Sequence, residues 1–441
     1  MPDFAKFIRQ LRPPPSKDQP QRHLFQGETS AVSLSHQLQY LKVRHPAPQP
    51  ASSSVEPTLP EGQEEITPYG RHYIVREIFD GEHCHGKVRL GCFSCDDLRQ
   101  LMTAMHEKDA VPDRDSIVYL DTETTGMQGA GMVPFLVGLG YFKGDEFHVV
   151  QYFIRDFDEE PSMLHALGKM LEGFRLVVTY NGATFDIPLL ESRFILARFE
   201  NPLLGMPHLD LLTGARRLWR NGHGSCRLVA LEREIVSFLR GPDIPGSMIP
   251  RVYFDFVNHG SSSDRRVDRD HQDHLKMKSV FTHNVYDIVS LAALTVCACD
   301  RVTAEPAPFD NPLDLYSLAK ILENTPDWKR SRLLYEMARN GGLPEPACSR
   351  AGESLSVIYR RSGEHERALA ICMELIRSTS FSLVAFEGAA IYHERIEGNH
   401  ARALEIVDEA LARLDNGVEH KRRKALLMAR RERLRQKVIQ F

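Results

Sequence analysis

Residues 116–126 read SIVYLDTETTG, an apolar run that ends in two acidic residues one position apart. In an extended strand residues i and i+2 project to the same face, so Asp121 and Glu123 are predicted to point in one direction. Neighbouring carboxylates repel each other, and a hard divalent cation between them relieves the repulsion. The stretch therefore predicts a strand that ends in a metal site. Taken alone, it also fits two solvated acids before a turn.

The composition is that of an ordinary globular protein. Its 441 residues suffice for about two or three domains that each bury a core. The formal charge of -4 excludes a histone-like or strongly acidic protein, so any nucleic-acid site must be a local patch. No uncharged apolar run is long enough to span a membrane, and no apolar signal segment follows the first basic residues. The sequence therefore predicts a cytoplasmic protein without a membrane partner.

Eight cysteines are scattered along the chain, which predicts reduced thiols rather than a disulfide framework. The densest group is HCHGKVRLGCFSC at residues 83–95, with two histidines and three cysteines. A structural zinc site normally combines two ligand pairs of regular spacing, whereas GKVRLGCF reads as an alternating strand. We favour strand and turn thiols here over a zinc site.

The patterns that follow predict a mixed α/β sheet around the acidic strand. MVPFLVGLGYF (132–142) and EFHVVQYFI (146–154) flank a glycine turn and predict a hairpin. EEPSMLHALGKMLEGF (159–174) predicts an amphipathic helix, and RLVVTY (175–180) predicts a short buried strand. The predicted order is three strands, a helix, a strand and a helix.

Two further motifs carry acids. In YNGATFDIPLLESRF, Asn181 and Gly182 supply a turn and Asp186 begins an apolar-periodic helix. In FTHNVYDIVSLAALTVCA, His283 and Asp287 are four positions apart and share one face of a predicted helix. Taken alone, the first acid also fits a favourable interaction with the helix dipole. The second pair, taken alone, also fits a surface ion pair.

The motifs DTETTG, NGATFD and HNVYD, in this order, resemble the three exonuclease motifs of the DEDD superfamily, which has a ribonuclease H-like fold. The intervening HLDLLTGARRLWR, LVALE and GPDIPGSMIPRVYFDF look like YprB-type ribonuclease H-like proteins, a family with a C-terminal tetratricopeptide-like region. The resemblance covers residues 65–303. It implies an α/β ribonuclease H-like mixed sheet flanked by helices, and a metal-dependent 3′-5′ exonuclease.

The resemblance also implies a set of catalytic residues. Two Mg²⁺ or Mn²⁺ ions would be ligated by Asp121, Glu123, Asp186 and Asp287. Oxygen ligands favour these hard ions over zinc. His283 would be the general base or orient the attacking water. Its spacing departs from both common versions of the motif, which place Tyr four residues, or His five residues, before the last Asp.

Substrate contacts are implied beside the first acidic pair. In the superfamily the residues after this pair contact the 3′-terminal nucleotide, and here they are Thr124, Thr125, Gly126 and Met127. Asn181 is predicted either to hydrogen-bond the substrate or to hold its turn. We interpret Asp210, in HLDLL, as a helix cap.

A basic segment at 215–240, ARRLWRNGHGSCRLVALEREIVSFLR, supplies positive charge for phosphate binding, and Trp219 within it is a candidate for base stacking. The alternative is a solvated helix face. YprB-type proteins look like DNA-repair nucleases that work alongside a helicase. The resemblance therefore implies DNA rather than RNA as the nucleic-acid partner, and a helicase or another protein bound by the C-terminal region.

We divide the chain into three predicted parts. Residues 1–62, rich in Pro, Ser and Gln, predict a disordered tail. Residues 63–303 are the predicted exonuclease domain. Residues 304–441 predict an all-α tetratricopeptide-like domain, because two helical segments repeat with Tyr359 and Tyr392 33 positions apart. The basic C-terminal end of this part is interpreted either as a capping helix, which we favour, or as a helix that touches nucleic acid.

Two other functions fit the same residues. One is a non-catalytic scaffold that keeps a ribonuclease H-like fold for binding, and the unusual spacing of His283 is the single feature in its favour. The other is an endonuclease on the same metal site, which shares every ligand with the exonuclease.

Overall fold

The computed structural model describes residues 59–105, 112–126, 131–260, 267–305, 311–378, 380–414 and 421–439. Met127 and all but the last four residues of the predicted disordered tail lie outside these ranges. Two of those four residues contact the sheet region: Leu59 packs on an apolar core, and the Pro60 carbonyl accepts a hydrogen bond from the Tyr73 hydroxyl. No helix within the described ranges combines the length and the apolar composition needed to cross a membrane.

A seven-stranded mixed sheet forms the scaffold of the first part of the described chain. Its strands are β1 (Gln63–Thr67), β2 (Gly70–Phe79), β5 (Ile117–Thr124), β6 (Pro134–Lys143), β7 (Glu146–Phe153), β8 (Leu176–Thr179) and β9 (His208–Asp210), and a separate pair consists of β3 (Cys84–His85) and β4 (Val88–Arg89). The spatial order of the sheet is β1-β2-β7-β6-β5-β8-β9. From β1 through β2, β7 and β6 to β5, each strand is antiparallel to its neighbour. Strands β5, β8 and β9 run parallel to one another.

Helices cover both faces of this sheet. They are α1 (Cys95–Ala104), α2 (Glu160–Leu171), α3 (Asp186–Ala197), α4 (Leu211–Leu218), α5 (Arg220–His223), α6 (Leu228–Leu231), α7 (Ile249–Gly260) and α8 (Val267–Thr303), and a π-helical turn spans Glu232–Val236. The central strand β5 shows why two cores form. Ile117 and Tyr119 belong to one apolar core, with α1, α4 and α8, whereas Val118 and Leu120 belong to the other, with α2, α3 and α7. Strand alternation distributes them to the two faces.

The long helix α8 lies against β6 at two glycines. A Cβ atom built on Gly138 would overlap Asn284 and Ile288, and one built on Gly140 would overlap Ile288. The absence of side chains at both positions allows the helix backbone to approach the sheet closely. This approach brings the middle of α8 beside the end of β5.

A helical region follows the sheet. Its helices are α9 (Pro312–Leu322), α10 (Trp328–Asn340), α11 (Ala347–Arg361), α12 (His365–Arg377), α13 (Leu383–Arg395), α14 (His400–Arg413) and α15 (Lys421–Ile439). The two segments that repeat in sequence form the hairpins α11–α12 and α13–α14, each with a positive-φ glycine in its turn, Gly363 or Gly398. The predicted mixed sheet flanked by helices and followed by an all-α region is confirmed.

The basic helix α15 packs onto its neighbours. Leu427 and Leu434 are buried in an apolar cluster with α13 and α14. The Arg433 guanidinium and the Lys437 ammonium contact the buried Glu394 carboxylate at 2.9 and 3.0 Å. These contacts agree with the interpretation of this helix as a cap.

One apolar core continues across residue 304. Leu315, Leu318 and Leu334 from the helical region share it with Leu218 and Val296 from the sheet region. Polar contacts reinforce the junction, since the Asn221 amide donates to the Ser317 hydroxyl at 2.8 Å. The residues on the two sides of the predicted domain boundary therefore pack as neighbours in one core.

The cysteine-rich segment is less regular than its alternation predicts. Strand geometry within GKVRLGCF is limited to Val88–Arg89. His85 is buried and its Nε2 lies 2.8 Å from the Ser290 hydroxyl, while Cys84 and Cys92 are exposed free thiols. All eight cysteines are free.

Candidate metal centre

Strand β5 ends at the centre of the candidate site. Asp121 and Glu123 are two residues apart near its C-terminal end, as the alternation predicts. The Asn284 amide on α8 donates to Asp121 Oδ2 at 2.8 Å. Asn284 is itself oriented by Gln151 on β7, whose amide donates to its Oδ1 at 2.8 Å. A buried amide pair thus fixes the orientation of the Asp121 carboxylate.

The turn after β8 delivers the third acid. Asp186 is the first residue of α3 and accepts a hydrogen bond from the Thr122 hydroxyl. Asn181 adopts a left-handed backbone with φ of 67°, and its N–H donates to Asp210 Oδ1 at 2.8 Å. Asp210 also accepts the Leu212 N–H at 3.0 Å and so caps α4 as predicted. This cap and the turn share one carboxylate, which fixes the path of the chain toward Asp186.

Helix α8 supplies the last acid and the histidine. His283 Nε2 lies 3.6 Å from Asp287 Oδ2 and 4.0 Å from Glu123 Oε1. Ligand atoms of these three residues all lie within 4.8 Å of one another. In the part of the chain that the structure describes, this is the one group of three or more His, Cys, Asp or Glu side chains close enough to share a metal ion.

The electrostatics of the four acids favour a bound cation. Each carboxylate is largely surrounded by protein atoms, and this burial raises the pKa of Asp121 and of Glu123 well above the usual range. The charges of the other acids raise both values further. Burial raises the pKa of Asp186 to about 6, and it also raises the pKa of Asp287 despite the nearby Arg240. Close, incompletely neutralised carboxylate oxygens form a donor set that fits Mg²⁺ or Mn²⁺.

Arg240 lies inside this acidic region rather than on a phosphate-binding surface. Its side chain is 6% exposed, and its guanidinium hydrogen-bonds Asp287 Oδ1. It also donates to Glu232 Oε2 at 2.7 Å and to Asp243 Oδ2 at 3.0 Å. Burial would lower the pKa of Arg240, but Glu232 and Asp287 outweigh burial and raise it. The sequence analysis placed Arg240 in a segment that supplies positive charge for phosphate binding. That interpretation is wrong for Arg240, because these three acids occupy its donors.

Asp243 was missed by the sequence motifs. His283 Nδ1 lies 2.9 Å from its Oδ1 and 3.0 Å from its Oδ2. The one sequence signal is GPDIPG (241–246), in which two prolines flank an acid in a segment that resembles YprB-type proteins. That signal predicts a rigid loop, but it does not identify the residue that the loop contacts.

The residues after the first acidic pair differ in exposure. Thr125 is buried, and its hydroxyl accepts the Val133 N–H at 3.2 Å. Thr124 is half-buried, and Gly126 is exposed with φ of 70°. A Cβ on Gly126 would lie 2.9 Å from Pro250 Cγ, so α7 lines this side of the site. Met127 lies outside the described ranges.

The rest of the basic segment divides into buried and exposed residues. Trp219 is 4% exposed and belongs to an apolar core, so its interpretation as a base-stacking residue is wrong. Arg216, Arg220, Arg227 and Arg233 are exposed. Burial raises the pKa of Tyr180, which immediately precedes the Asn181 turn, and the positive charge of Arg216 partly opposes this increase. Part of the exposed basic surface therefore lies near the turn that leads to Asp186.

Comparison with known proteins agrees with this arrangement. The profile of the RNase_H_2 family, described as RNase_H superfamily, matches residues 118–299. The matched range holds all four acids and His283. The chain is also 25% identical over 403 residues to the protein called "Uncharacterized protein YprB" of Bacillus subtilis (strain 168), an alignment that covers 86% of this chain and 94% of that protein. The sheet region has a ribonuclease H-like fold, and domains of the matched superfamily are usually nucleases that use divalent metals and bind nucleic acid.

Proposed function

We propose that this protein is a two-metal-dependent 3′-5′ exonuclease that uses Mg²⁺ or Mn²⁺. The observation that carries the proposal is the convergence of Asp121, Glu123, Asp186 and Asp287: burial raises the pKa of all four, and the charges of the other acids raise the pKa of Asp121 and Glu123 further. A cluster of this kind is destabilising without a cation. Four carboxylates offset the charge of two divalent ions, which supports their assignment as ligands.

The residues around the cluster support hydrolysis of a phosphodiester bond. Divalent ions held by the four acids would supply Lewis-acid stabilisation of the negative charge that develops on the phosphate and on the departing oxygen. His283 Nε2 faces Glu123 and Asp287 and is placed to accept the proton of the attacking water. The water oxygen bonds to phosphorus, the bond from phosphorus to the 3′ oxygen breaks, and a nucleoside 5′-monophosphate leaves.

We also propose positions for the substrate and the partner. The 3′-terminal nucleotide contacts Thr124, Thr125, Gly126 and Met127, and Asn181 either hydrogen-bonds the substrate or holds its turn. The half-buried Thr124 and the exposed Gly126 support this placement more directly than the buried Thr125 does. Resemblance to YprB-type proteins favours DNA and a repair role. The helical hairpins α11–α12 and α13–α14 are the proposed tetratricopeptide-like surface for a helicase or another protein.

A degradation time course tests the proposal. Wild type and Asp121→Asn are incubated with Mg²⁺, Mn²⁺ or EDTA on single-stranded, duplex and 3′-overhang DNA and RNA, labelled at either end. We expect a metal-dependent ladder that shortens from the 3′ end of 5′-labelled strands, and a loss of at least about 10³-fold in the variant. Asp145→Asn removes the same charge from a side chain that is 97% exposed in the β6–β7 turn, so this control should retain activity.

The products separate the alternatives. Internal fragments at early times would assign an endonuclease to the same acids. A wild-type protein that binds DNA but cuts none of the substrates with either metal would contradict the exonuclease and favour the scaffold.

A further inference from the structure

The segment between the π-helical turn and α7 contacts the side chain of His283. Its acid, Asp243, is held independently of the histidine: the Ile244 N–H donates to Oδ1 at 2.8 Å, and Arg240 Nη1 donates to Oδ2 at 3.0 Å. Pro242 and Pro245 flank Asp243 and restrict the backbone on both sides. The carboxylate is therefore preorganised at the place where it meets the imidazole.

The charge state of Asp243 determines which imidazole nitrogen carries the proton. Burial would raise the pKa of Asp243, but hydrogen bonds from His283 and Arg240 outweigh burial and hold it below its ordinary value. An ionised carboxylate only accepts hydrogen bonds. Its oxygens lie 2.9 and 3.0 Å from His283 Nδ1, so Nδ1 must carry the hydrogen.

A competing donor lies nearby and does not change this assignment. Arg240 Nη1 is 3.3 Å from His283 Nδ1, which is longer than its 3.0 Å contact with Asp243 Oδ2. Nη1 carries two hydrogens, but the two Asp243 oxygens at 2.9 and 3.0 Å from His283 Nδ1 are closer to it than the guanidinium is and determine its role as a donor. With Nδ1 protonated, the neutral ring keeps its lone pair on Nε2, the nitrogen that faces Glu123 and Asp287.

We propose that Asp243 is a positioning residue for the hydrolysis: it holds His283 in the Nδ1–H tautomer with Nε2 directed at the four-acid cluster. This inference rests on the proposed function. Without the carboxylate the ring can flip or change tautomer, and in a hydrogen-bonded Asp–His pair of this type the change from Asp to Asn lowers kcat by as much as about 10⁴-fold. The usual motif places the histidine five residues before the last Asp, whereas His283 is four residues before Asp287. Asp243 accounts for this difference, because it fixes the His283 ring from outside the motif.

A double-mutant cycle tests this role in the full-length, metal-loaded protein. Wild type, Asp243→Asn, His283→Ala and the double variant are compared by kcat and KM for release of the 3′-terminal nucleotide. We expect Asp243→Asn to lower kcat by about 10²-fold or more with little change in KM, in line with the usual contribution of a general base. In the His283→Ala background the same change should alter kcat less than about 2-fold, because Asp243 then has no ring to position.

Other measurements exclude a merely structural effect. Asp243→Asn should keep the wild-type unfolding midpoint and the wild-type Mn²⁺ affinity measured by titration calorimetry, and Asp145→Asn serves as the charge-matched control. If Asp243→Asn loses its cooperative unfolding transition, Asp243→Glu enters the same cycle, with a smaller loss expected that also disappears without His283.

Two results would overturn the role of Asp243 while leaving the nuclease intact. One is an unchanged kcat in Asp243→Asn. The other is an equal loss with and without His283, which would show that the carboxylate acts independently of the ring. A wild-type protein that degrades no substrate would overturn the proposed function and this inference together.

Discussion

Single residues decide how charge is distributed in the candidate site. Arg240 is the buried cation that faces Glu232, Asp243 and Asp287, and its contacts leave Asp287 Oδ2 directed toward His283. Its guanidinium fixes a geometry that a freely rotating carboxylate would not keep. We therefore expect its loss to affect folding as well as chemistry.

Replacing Arg240 by Met should destabilise the protein by about 3–5 kcal/mol, because Glu232, which is 1% exposed, would be left without its cation. Urea unfolding of the metal-free protein measures the change. Arg233→Met is the matched control: Arg233 is 63% exposed and pairs with Glu234, so its loss should cost at most about 1 kcal/mol. Equal effects of the two substitutions would contradict the structural role of Arg240.

Asp186 gives the metal-free protein a specific pH dependence. Its pKa of about 6 lies above the ordinary 3.8, so the folded state binds more protons than the unfolded state between these values. Stability is then lost as pH rises through this window. In EDTA, Asp186→Asn should be as stable as wild type near pH 4 and more stable by roughly 2–3 kcal/mol above pH 7.

Urea unfolding at several pH values tests this sign, and saturating Mg²⁺ should reverse the order at high pH because an amide is a poorer ligand than a carboxylate. A difference between Asp186→Asn and wild type that stays constant with pH would show that the carboxyl group does not titrate in this window.

The sequence predicted which acids form the candidate site, but not the residues that contact and orient them. Asp121, Glu123 and Asp186 lie in local patterns that specify a strand end and a helix start. Arg240 and Asp243 contact Asp287 and His283, which lie 47 and 40 positions further along the chain, and no local periodicity encodes such a contact. The interpretation of Trp219 as a base-stacking residue failed for a related reason. Its basic neighbours indicated an exposed surface, whereas the packing of α4 buries its side chain.

At the scale of elements, the contact between α8 and β6 positions the site. The sequence predicted both elements because each has one clear apolar period. The closeness of their contact depends on the glycines of VGLG (137–140), whose importance appears only with the facing helix in place. The strand in GKVRLGCF is shorter than its alternation predicted, because only Val88 and Arg89 pair with another strand, Cys84–His85.

Replacing Gly138 by Ala should push α8 away from β5. The added methyl overlaps Asn284, which orients Asp121, and Ile288 in the core. We expect a loss of about 1–3 kcal/mol in unfolding free energy, together with weaker Mn²⁺ binding. Gly173→Ala is the control, because its added Cβ would lie 3.5 Å from the Met170 carbonyl oxygen, an ordinary van der Waals distance. Wild-type stability and Mn²⁺ affinity in Gly138→Ala would contradict the tight packing.

At the scale of the whole molecule, the sheet region shares one apolar core with α9 and α10 of the helical region. Composition and the Pro-rich break predicted a boundary near residue 304, which lies between the end of α8 at Thr303 and the start of α9 at Pro312. The sequence could not show that Leu315 and Leu318 pack with Leu218 and Val296. A repeat pattern describes how helices pair with each other, not the surface on which the first of them packs.

A truncation tests this dependence. A chain that ends at residue 305 should unfold at a lower temperature than the full chain and bind a hydrophobic dye, because it exposes the core that α9 and α10 cover. A chain that ends at residue 414 loses α15, whose Leu427 and Leu434 are buried in a separate cluster with α12, α13 and α14. This longer chain should keep the thermal transition of the sheet region. A 305-residue chain as stable as the full protein would establish that the sheet region folds independently of the helical region.

The hydrogen bond between Asp243 and His283 also has an evolutionary consequence. A histidine that depends on a partner forty positions earlier cannot change without altering the selection on that partner. Among many related sequences, those with Tyr or another residue at position 283 should have lost the acid at position 243, and those with His should retain it. The two positions should therefore be inherited as a pair, whereas the four acids should be retained whichever residue occupies position 283.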